Sequence, residues 1–364
     1  NATLTLTNCD FTNTGDTATM DAGGALRAEN GTLNISGGSF THWSALSGGA
    51  IYGTDTPDVD IDGATFHHNH ARGDSADGGA IYFASTEGTA NIDNCIFTSN
   101  TAVDKAGAIR INGSGSLSMN GNTFSANSAY EGGHIYAEVN VTDVGSSYSL
   151  GTTTGDGGAI HLSSTADLSV TDCSFDENSA GDDGGAIYHG TTGSLTIAGG
   201  TTFDTNDAVD MGGHVYLSSG TNTLDISGTT SFLDGTAAQG GAIYANANLT
   251  TMTIADATFD TNEATVGNGG AIATHGSGTW SITDSSFTTS SATGNGGAIY
   301  NGSSTTWSIT NSTFDTSTAG GNGGAIYNAS STNGTLENIS FTASKAISGN
   351  GGAIYNTVSS NWSL

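Results

Sequence analysis

The octapeptide GNGGAIYN occurs three times in the last fifth of the chain, at Gly294–Asn301, Gly321–Asn328 and Gly349–Asn356. Copies that keep Gly-Gly-Ala-Ile, or a close variant of it, continue the series towards the N terminus. The first glycine, or the alanine that replaces it, lies at Gly23, Gly48, Gly78, Ala106, Gly132, Gly157, Gly184, Gly212, Gly240, Gly269, Gly296, Gly323 and Gly351. Successive copies are 25 to 30 residues apart, and a repeat of this length indicates stacked supersecondary units.

A second motif alternates with the first and ends in phenylalanine. Three examples are LTLTNCDF (Leu4–Phe11), LSVTDCSF (Leu168–Phe175) and WSITNSTF (Trp307–Phe314). Apolar residues at every second position predict short strands, and the Gly, Asn and Asp residues between them predict turns. No segment has a sustained helical period. We therefore predict an all-β fold, a right-handed parallel β-helix (β-solenoid) of about 13 coils of 25–30 residues.

Each position of the repeat has a predicted role. Leu, Ile and Phe should point inward, and the residue that precedes the Phe strand should turn the chain in the left-handed conformation. Those turn residues are Asn8, Gly63, Asn94, Gly121, Asp172, Gly199, Asp256 and Asn311. An asparagine three positions after Phe should form a ladder of amide hydrogen bonds. The ladder residues are Asn69, Asn100, Asn127, Asn178, Asn206 and Asn262.

The three cysteines share one inward position of the repeat. Cys9, Cys95 and Cys173 each follow the turn residue and lie two residues before Phe. Neighbouring copies are three coils apart, a separation of about 14 Å at the strand spacing of a sheet. A disulfide requires Cα atoms within about 7 Å, so we expect three buried thiols.

Nothing in the repeat marks a domain boundary, so we expect residues 1–364 to form one uninterrupted solenoid. Leu4 and Leu6 occupy the same repeat positions as Trp362 and Leu364, so the chain begins and ends at nearly the same phase of the coil. Neither end carries a capping element, and a bare terminal coil exposes unpaired backbone groups. We therefore expect both ends to be uncapped and the segment to belong to a longer protein or assembly. Its partners would be flanking coils or other copies docked end to end.

The charge of the chain excludes several classes of partner. The 34 acidic residues and five basic residues produce a net charge of −29. So few basic side chains argue against nucleic acid as a ligand. No run of residues approaches the roughly 18 apolar positions of a membrane helix, so we expect no direct membrane insertion. An acidic surface of this kind suits high salt or bound divalent cations.

The combination of Gly-Gly-Ala-Ile with Phe-x-x-Asn resembles the repeats of the polymorphic outer membrane proteins, the chlamydial autotransporter adhesins. The resemblance covers essentially the whole chain, although this chain is far more acidic. It implies a β-helical passenger that is displayed outside the cell and adheres to surfaces, and it offers no catalytic residues. We therefore expect a non-enzymatic extracellular adhesin or passenger stalk at the cell surface, with a glycan or cell-surface ligand. A structural subunit of an extracellular filament or sheath, built by head-to-tail stacking, is the alternative.

A polysaccharide-cleaving β-helix enzyme is a weaker alternative. A lyase needs a basic residue as proton acceptor, and the five bases of this chain, Arg27, Arg72, Lys105, Arg110 and Lys345, are scattered. Carboxylate pairs suited to glycoside hydrolysis would arise by chance among 34 acidic residues. The fold alone does not supply a site.

The residue after Gly-Gly-Ala-Ile should point outward and is tyrosine in nine copies. These are Tyr52, Tyr82, Tyr136, Tyr188, Tyr216, Tyr244, Tyr300, Tyr327 and Tyr355. Tyrosines are typical anchors of contact surfaces, so this stripe is a candidate binding or assembly face. The alternative is that the rings stack on one another and stiffen the coil.

Two groups of residues are candidate metal ligands. His67, His68 and His70 lie within the sequence FHHNHA and suit Zn²⁺ or Ni²⁺. Acidic or Asn residues that precede the paired glycines, among them Asp156 and Asp183, could hold Ca²⁺ through oxygen ligands. Ordinary solvated turns are the more common explanation of both groups, and no other cofactor is expected.

Overall fold

In the computed structural model the described residues are 2–14, 21–56, 58–190, 192–218, 220, 223–246, 249–329, 333–357 and 362–363. Leu364, used above to compare the chain ends, lies outside them. Their regular structure is all β, and it forms a parallel β-solenoid of about 13 turns, which confirms the predicted all-β solenoid. The chain forms two compact units, unit 1 (1–169 and 173–179) and unit 2 (170–172 and 180–364).

A complete coil contains four short strands, which we assign to sheets 1 to 4 in chain order; the described residues of the first coil include three of them. Sheet 1 contains the Leu-x-Ile strand, sheet 2 the Phe strand, sheet 3 a two-residue strand and sheet 4 the Ile-Tyr strand. In unit 1, each strand pairs in parallel with its copy in the next coil. Phe40 pairs with Phe66, and Ile51 pairs with Ile81, so equivalent residues lie side by side.

The strands of unit 1 are short in all four sheets. In sheet 1 they are Ala2–Thr7, Gly31–Ser36, Val59–Asp62, Thr89–Asp93, Ser116–Asn120 and Asn140–Val144. In sheet 2 they are Asp10–Thr12, Ser39–Thr41, Thr65–His67, Ile96–Thr98, Thr123–Ser125, Ser147–Ser149 and Ser174–Asp176. In sheet 3 they are Ser44–Ala45, His70–Ala71, Thr101–Ala102, Ser128–Ala129 and Thr152–Thr153. In sheet 4 they are Leu26–Glu29, Ile51–Thr54, Ile81–Thr86, Ile109–Gly113, Ile135–Ala137 and Ile160–Leu162.

The strands of unit 2 follow the same order. In sheet 1 they are Ser194–Ala198, Thr223–Ile226, Thr251–Ala255, Thr279–Thr283, Thr306–Thr310, Asn333–Glu337 and Trp362–Ser363. In sheet 2 they are Thr202–Asp204, Ser231–Leu233, Thr258–Asp260, Ser286–Thr288, Thr313–Asp315 and Ser340–Thr342. In sheet 3 they are Asp207–Ala208, Thr236–Ala237, Glu263–Ala264, Ser291–Ala292, Thr318–Ala319 and Lys345–Ala346. In sheet 4 they are Ile187–His189, Val215–Leu217, Ile243–Ala245, Ile272–Thr274, Ile299–Asn301, Ile326–Asn328 and Ile354–Asn356. The residues of the strands Leu168–Thr171 and Ser179–Ala180 divide between the two units.

The paired glycines form a tight corner before sheet 4. The first glycine has a left-handed backbone, for example Gly296 with φ of 68°, a conformation that side chains with a Cβ rarely adopt. The second position requires glycine for a different reason, which is steric. A Cβ on Gly297 would collide with the carbonyl oxygen of Gly324 in the next coil. The turn before the Phe strand is left-handed as predicted, with φ of 53° at Asn94 and 55° at Asp256.

The core is built from identical side chains stacked along the coil axis. In unit 1 the rings of Phe40 and Phe66 lie 5.0 Å apart and within 6° of parallel. In unit 2 the rings of Phe259 and Phe287 lie 4.7 Å apart and within 2° of parallel. All four rings are fully buried, and a phenylalanine in a core contributes both apolar area and stacking contacts.

The cysteines are free thiols, as predicted from their spacing. Cys95 and Cys173 are buried, whereas Cys9 in the first coil is partly exposed. Burial raises the pKa of the Cys95 thiol to about 12, so this thiol is protonated and unreactive at neutral pH.

The predicted asparagine ladder is present in unit 1. The Nδ2 atom of Asn69 donates to Oδ1 of Asn100 at 2.9 Å, and Asn100 donates in the same way to Asn127 at 2.9 Å. The same amides also donate to the backbone of the preceding coil, Asn69 to the carbonyl of Phe40. All three side chains are fully buried, and these bonds satisfy their polar groups.

A histidine carries the ladder across a coil that has glycine in place of asparagine. Asn127 donates through Nδ2 to Nδ1 of His134 at 3.0 Å, and Nε2 of His134 donates to Oδ1 of Asn178 at 3.2 Å. Gly151 holds the position of the absent asparagine. A Cβ on Gly151 would collide with the carbonyl oxygen of Gly158 and lie 2.6 Å from Nε2 of His134, so glycine leaves room for both the backbone and the ring. His214 and Gly235 repeat this pairing in unit 2, where a Cβ on Gly235 would lie 2.5 Å from the ring.

A buried carboxyl group explains the tyrosine that replaces phenylalanine in one coil. Asp143 occupies an inward position of sheet 1 and is fully buried. The hydroxyl of Tyr148 donates to it at 2.8 Å and the hydroxyl of Ser146 donates at 2.6 Å. Burial raises the pKa of Asp143, and these hydrogen bonds partly offset that rise. Tyr148 therefore supplies a partner that phenylalanine could not supply.

We expect His134→Ala to lower the free energy of unfolding by about 1–3 kcal/mol, because the amides of Asn127 and Asn178 lose a buried partner. The double variant His134→Ala with Gly151→Asn restores the amide partner of the ordinary coils and should recover part of that loss, because the new Cβ still meets the carbonyl oxygen of Gly158. Denaturant unfolding measures both changes. A double variant no more stable than the single variant would contradict the bridging role of His134.

A comparison of the wild type with the double variant also tests a pH dependence of stability. Burial lowers the pKa of His134 from 6.5 to about 3, so the folded state resists its protonation while the unfolded chain accepts the proton. The stability that neutral His134 contributes is present above pH 6.5 and is lost as pH falls towards 3. We expect the unfolding free energy of the wild type to fall relative to the double variant across this interval. Parallel curves over the whole range would show that His134 does not titrate as described.

Candidate functional site

The tyrosine column is the series of residues that follows the inward isoleucine of each sheet 4 strand. Its members are Arg27, Tyr52, Tyr82, Arg110, Tyr136, His161, Tyr188, Tyr216, Tyr244, Ala273, Tyr300, Tyr327 and Tyr355. The preceding isoleucine is buried in the coil interior, as Ile81 and Ile326 show. Alternation along the strand therefore directs the column residues away from the core.

The column is less exposed than the sequence suggests. Tyr136, Tyr216 and Tyr244 are only 5–7% exposed, and the other six tyrosines are partly buried. A continuous exposed stripe is therefore not what the structure shows. The reason is that column residues cover one another, as the contacts of each unit show.

In unit 1, cations and histidine are interleaved with the tyrosines. Tyr52 meets Tyr82 edge to face, with ring centroids 5.5 Å apart. The guanidinium of Arg110 lies over the rings of Tyr82 and Tyr136, at 5.7 and 4.5 Å. The ring of His161 stacks on Tyr136 at 4.4 Å. The arginine and the histidine thus take ring positions in the column.

In unit 2 the tyrosines form a parallel stack. The ring centroids of Tyr300 and Tyr327 are 5.2 Å apart, and those of Tyr327 and Tyr355 are 5.6 Å apart. Ala273 has no ring, and His275, two residues later, fills its place. The His275 ring lies 5.2 Å from Tyr244 and 5.0 Å from Tyr300. The ring stack therefore continues past the alanine.

This stacking decides which atoms of the column a ligand can reach. The ring faces of Tyr327 contact their neighbours, so its edge and its hydroxyl are the parts that remain for a ligand. Burial raises the pKa of Tyr300 and Tyr327, and it raises that of Tyr244 to about 12. The hydroxyls are therefore neutral at physiological pH and can both donate and accept hydrogen bonds.

Arg110 is the buried charge of the column and is only 3% exposed. Its guanidinium lies 2.7 Å from a carboxylate oxygen of Glu138 and 3.5 Å from one of Asp77. It also donates to the carbonyl of Ile111 at 2.9 Å. Burial raises the pKa of Asp77, and the positive charge of Arg110 acts in the opposite direction. Arg110 therefore holds two carboxylates beside the tyrosines.

The histidines of FHHNHA do not converge on one point. His67 and His68 have ring centroids 4.0 Å apart, and His42 of the preceding coil stacks on His68 at 5.3 Å. His70 instead lies on a sheet 3 strand, where its Nδ1 is 2.6 Å from the hydroxyl oxygen of Thr101. The histidine cluster therefore consists of His42, His67 and His68, and His70 is not part of it. The spacing of the sequence could not indicate His42 as a neighbour, because it belongs to the preceding coil.

The residues before the paired glycines differ between the units. In unit 2 they include Asn268, Asn295, Asn322 and Asn350, which form a second amide ladder. Oδ1 of Asn295 accepts from the backbone nitrogen of Asn322 at 2.8 Å, and the other rungs match. These amide oxygens therefore already have donors. The two acidic Ca²⁺ candidates belong to different units, Asp156 to unit 1 and Asp183 to unit 2.

The repeat pattern does not indicate which residues of neighbouring coils surround the column. The ion pairs of Arg110, the ring of His275 and the grouping of His42 with His67 and His68 all depend on which coil packs against which. One signal was available: a residue that departs from the repeat is often matched by a second departure in the same or a neighbouring coil, as His275 is beside Ala273. Among the described residues, no helix has the length and apolar character required to span a lipid bilayer.

We expect Arg110→Met to lower the free energy of unfolding by about 3 kcal/mol, because it leaves Asp77 and Glu138 without their shared cation. Arg27→Met is the matched control in the same column. The ion pair of Arg27 with Glu29 is about half exposed on both sides, so its loss should change stability by less than about 1 kcal/mol. Equal effects of the two substitutions in thermal or denaturant unfolding would contradict the role of Arg110.

Comparison with known proteins supports the resemblance stated for the repeats. The family model of the Chlamydia polymorphic membrane protein repeat matches residues 172–190. This segment, DCSFDENSAGDDGGAIYHG, contains both motifs, Phe-x-x-Asn at Phe175–Asn178 and Gly-Gly-Ala-Ile at Gly184–Ile187. No curated protein and no solved structure matches the chain. The chain thus carries a repeat similar to those of the Chlamydia polymorphic membrane proteins.

Proposed function

We propose that this chain is the non-enzymatic, surface-displayed part of an extracellular adhesin, and that the unit 2 tyrosines Tyr300, Tyr327 and Tyr355 of the column are its binding face. The observation that carries the proposal is the stack of Tyr300, Tyr327 and Tyr355, whose rings are only partly buried. Three aromatic side chains in a row at the coil spacing form a repeated contact surface, and tyrosine is enriched at such surfaces. The match to a membrane protein repeat supports display at the cell surface.

The geometry of the stack favours one class of ligand. Because neighbouring tyrosines cover the ring face of Tyr327 on both sides, a ligand meets the edges and hydroxyls of the stack. A row of hydroxyls on rings whose centroids are 5.2 and 5.6 Å apart suits a polymer with regularly spaced hydroxyl groups. We therefore propose a glycan that binds through hydrogen bonds, rather than one that stacks its sugar rings on the aromatic faces.

The net charge of the chain further restricts the class of glycan that can bind. A net charge of −29 repels anionic polymers, so the glycan is expected to be neutral or cationic. A catalytic role is not proposed, because the charged groups at the column pair with one another, as Arg110 does with Asp77 and Glu138.

We expect the triple substitution of Tyr300, Tyr327 and Tyr355 by Phe to weaken binding to an array of neutral glycans by at least about tenfold, since each lost hydrogen bond is worth about 1 kcal/mol. Phenylalanine keeps the ring stack, so circular dichroism and thermal unfolding should be nearly unchanged. The matched control is the same change at the buried residues Tyr136, Tyr216 and Tyr244, which should leave binding unaltered.

Two outcomes would contradict the proposal. One is glycan binding by the triple Phe variant at wild-type strength, which would leave the stack with a stiffening role alone. The other is growth of filaments with protein concentration, seen by light scattering and electron microscopy, together with an absence of glycan binding. That result would favour the alternative function, a structural subunit.

A further inference from the structure

Two carboxylates and an imidazole meet beside the tyrosine column of unit 1. The ligand atoms of Glu131, Asp156 and His161 all lie within 4.8 Å of one another. We propose that these three side chains form a binding site for a divalent cation of the zinc class. The site is independent of the proposed glycan-binding face, whose tyrosines lie in unit 2.

The repeat itself brings the two carboxylates together. Glu131 and Asp156 hold the same position, the residue before the paired glycines, in successive coils. The backbone nitrogen of Gly132 donates to the carbonyl oxygen of Asp156 at 3.0 Å, which places the two residues at the strand spacing. Two carboxylates at this spacing repel each other, and a divalent cation between them would remove that repulsion.

His161 supplies the nitrogen ligand in place of the usual tyrosine. The side chain is 5% exposed, and its ring is held by stacking on Tyr136 and by a hydrogen bond to the backbone of Asp156. Burial lowers the pKa of His161 to about 3, so the ring is neutral at physiological pH, the form that binds metals. Metal-binding histidines are commonly oriented by such a bond from the ring to the backbone.

Two protein cations act on Glu131 and oppose a bound metal ion. This side chain is half-buried, and burial raises its pKa, while the charge of Lys105 acts in the opposite direction. Lys105 lies with its amino group 4.7 Å from the centre of the Tyr136 ring. Its charge, like that of Arg110, stabilises the Glu131 carboxylate, so both cations would repel a metal ion at the site.

The combination of one imidazole nitrogen with two carboxylates distinguishes between zinc and calcium as the bound ion. Zinc accepts a mixture of imidazole nitrogen and carboxylate oxygen and needs only four ligands, of which water can be one. Calcium prefers six to eight oxygen atoms, and an imidazole is not among its usual ligands. The three side chains therefore suit zinc and similar transition ions better than the Ca²⁺ expected from the acidic turns.

The test is calorimetric titration of the full chain with ZnCl₂ and with CaCl₂ after treatment with a chelator. We expect zinc to bind and to raise the thermal unfolding temperature, and calcium to do neither at this site. His161→Tyr should abolish the zinc effect without loss of fold, because tyrosine is the residue of the same position in nine coils. Lys105→Met should tighten zinc binding several-fold, because it removes the competing charge.

A second pair of variants covers the case in which His161→Tyr does not fold. Glu131→Gln and Asp156→Asn introduce residues that the same position carries natively at Gln239 and Asn268, and together they should abolish zinc binding. His67→Thr with His68→Ser is the control, since it removes the histidine cluster and should leave this zinc site intact.

The proposal is overturned if zinc binds unchanged to the variants of Glu131, Asp156 and His161, or if zinc binding is lost in the histidine-cluster control instead. Calcium binding equal to that of zinc, and sensitive to the same variants, would also overturn it, because the imidazole would then have no role.

Discussion

The structure depends on the contact of each side chain with its own copy in the next coil. The octapeptide GNGGAIYN shows this most directly, because three of its residues are rungs of ladders. Asn295 bonds to Asn322, Tyr300 stacks on Tyr327, and Asn301 donates to Asn328 at 2.7 Å. A buried amide satisfies its donor and its acceptor most simply with another amide at the strand spacing. The sequence repeats because each copy is the bonding partner of the next.

This constraint also explains how the repeat tolerates exceptions. A change at one position leaves the neighbouring copy without its partner, so a second change must compensate for it. His134 is matched by Gly151, and Asp143 is matched by Tyr148. Arg110 occupies a ring position in the tyrosine column and forms ion pairs with Asp77 and Glu138. Such pairs are the places where a coil can acquire chemistry that its neighbours lack.

The two candidate sites differ in how closely they follow the repeat. The stack at Tyr300, Tyr327 and Tyr355 is made of identical residues, so it provides a repeated surface suited to a repeated ligand. The cluster of Glu131, Asp156 and His161 arises where the column departs from tyrosine, so it provides one local set of unlike ligands. A solenoid can therefore combine a repeated aromatic surface with a discrete cluster of unlike side chains on one backbone plan.

The sequence by itself determined the coil, the inward phenylalanines, the left-handed turns, the asparagine ladder and the free cysteines. These features follow from periodicity, because every residue at a given repeat position meets the same neighbours. Only the tertiary structure decided how far the tyrosines are covered, that His42 rather than His70 joins His67 and His68, and that His161 meets Glu131 and Asp156. Those contacts join unlike positions of adjacent coils, and their distances depend on side-chain packing that the period of the sequence does not encode.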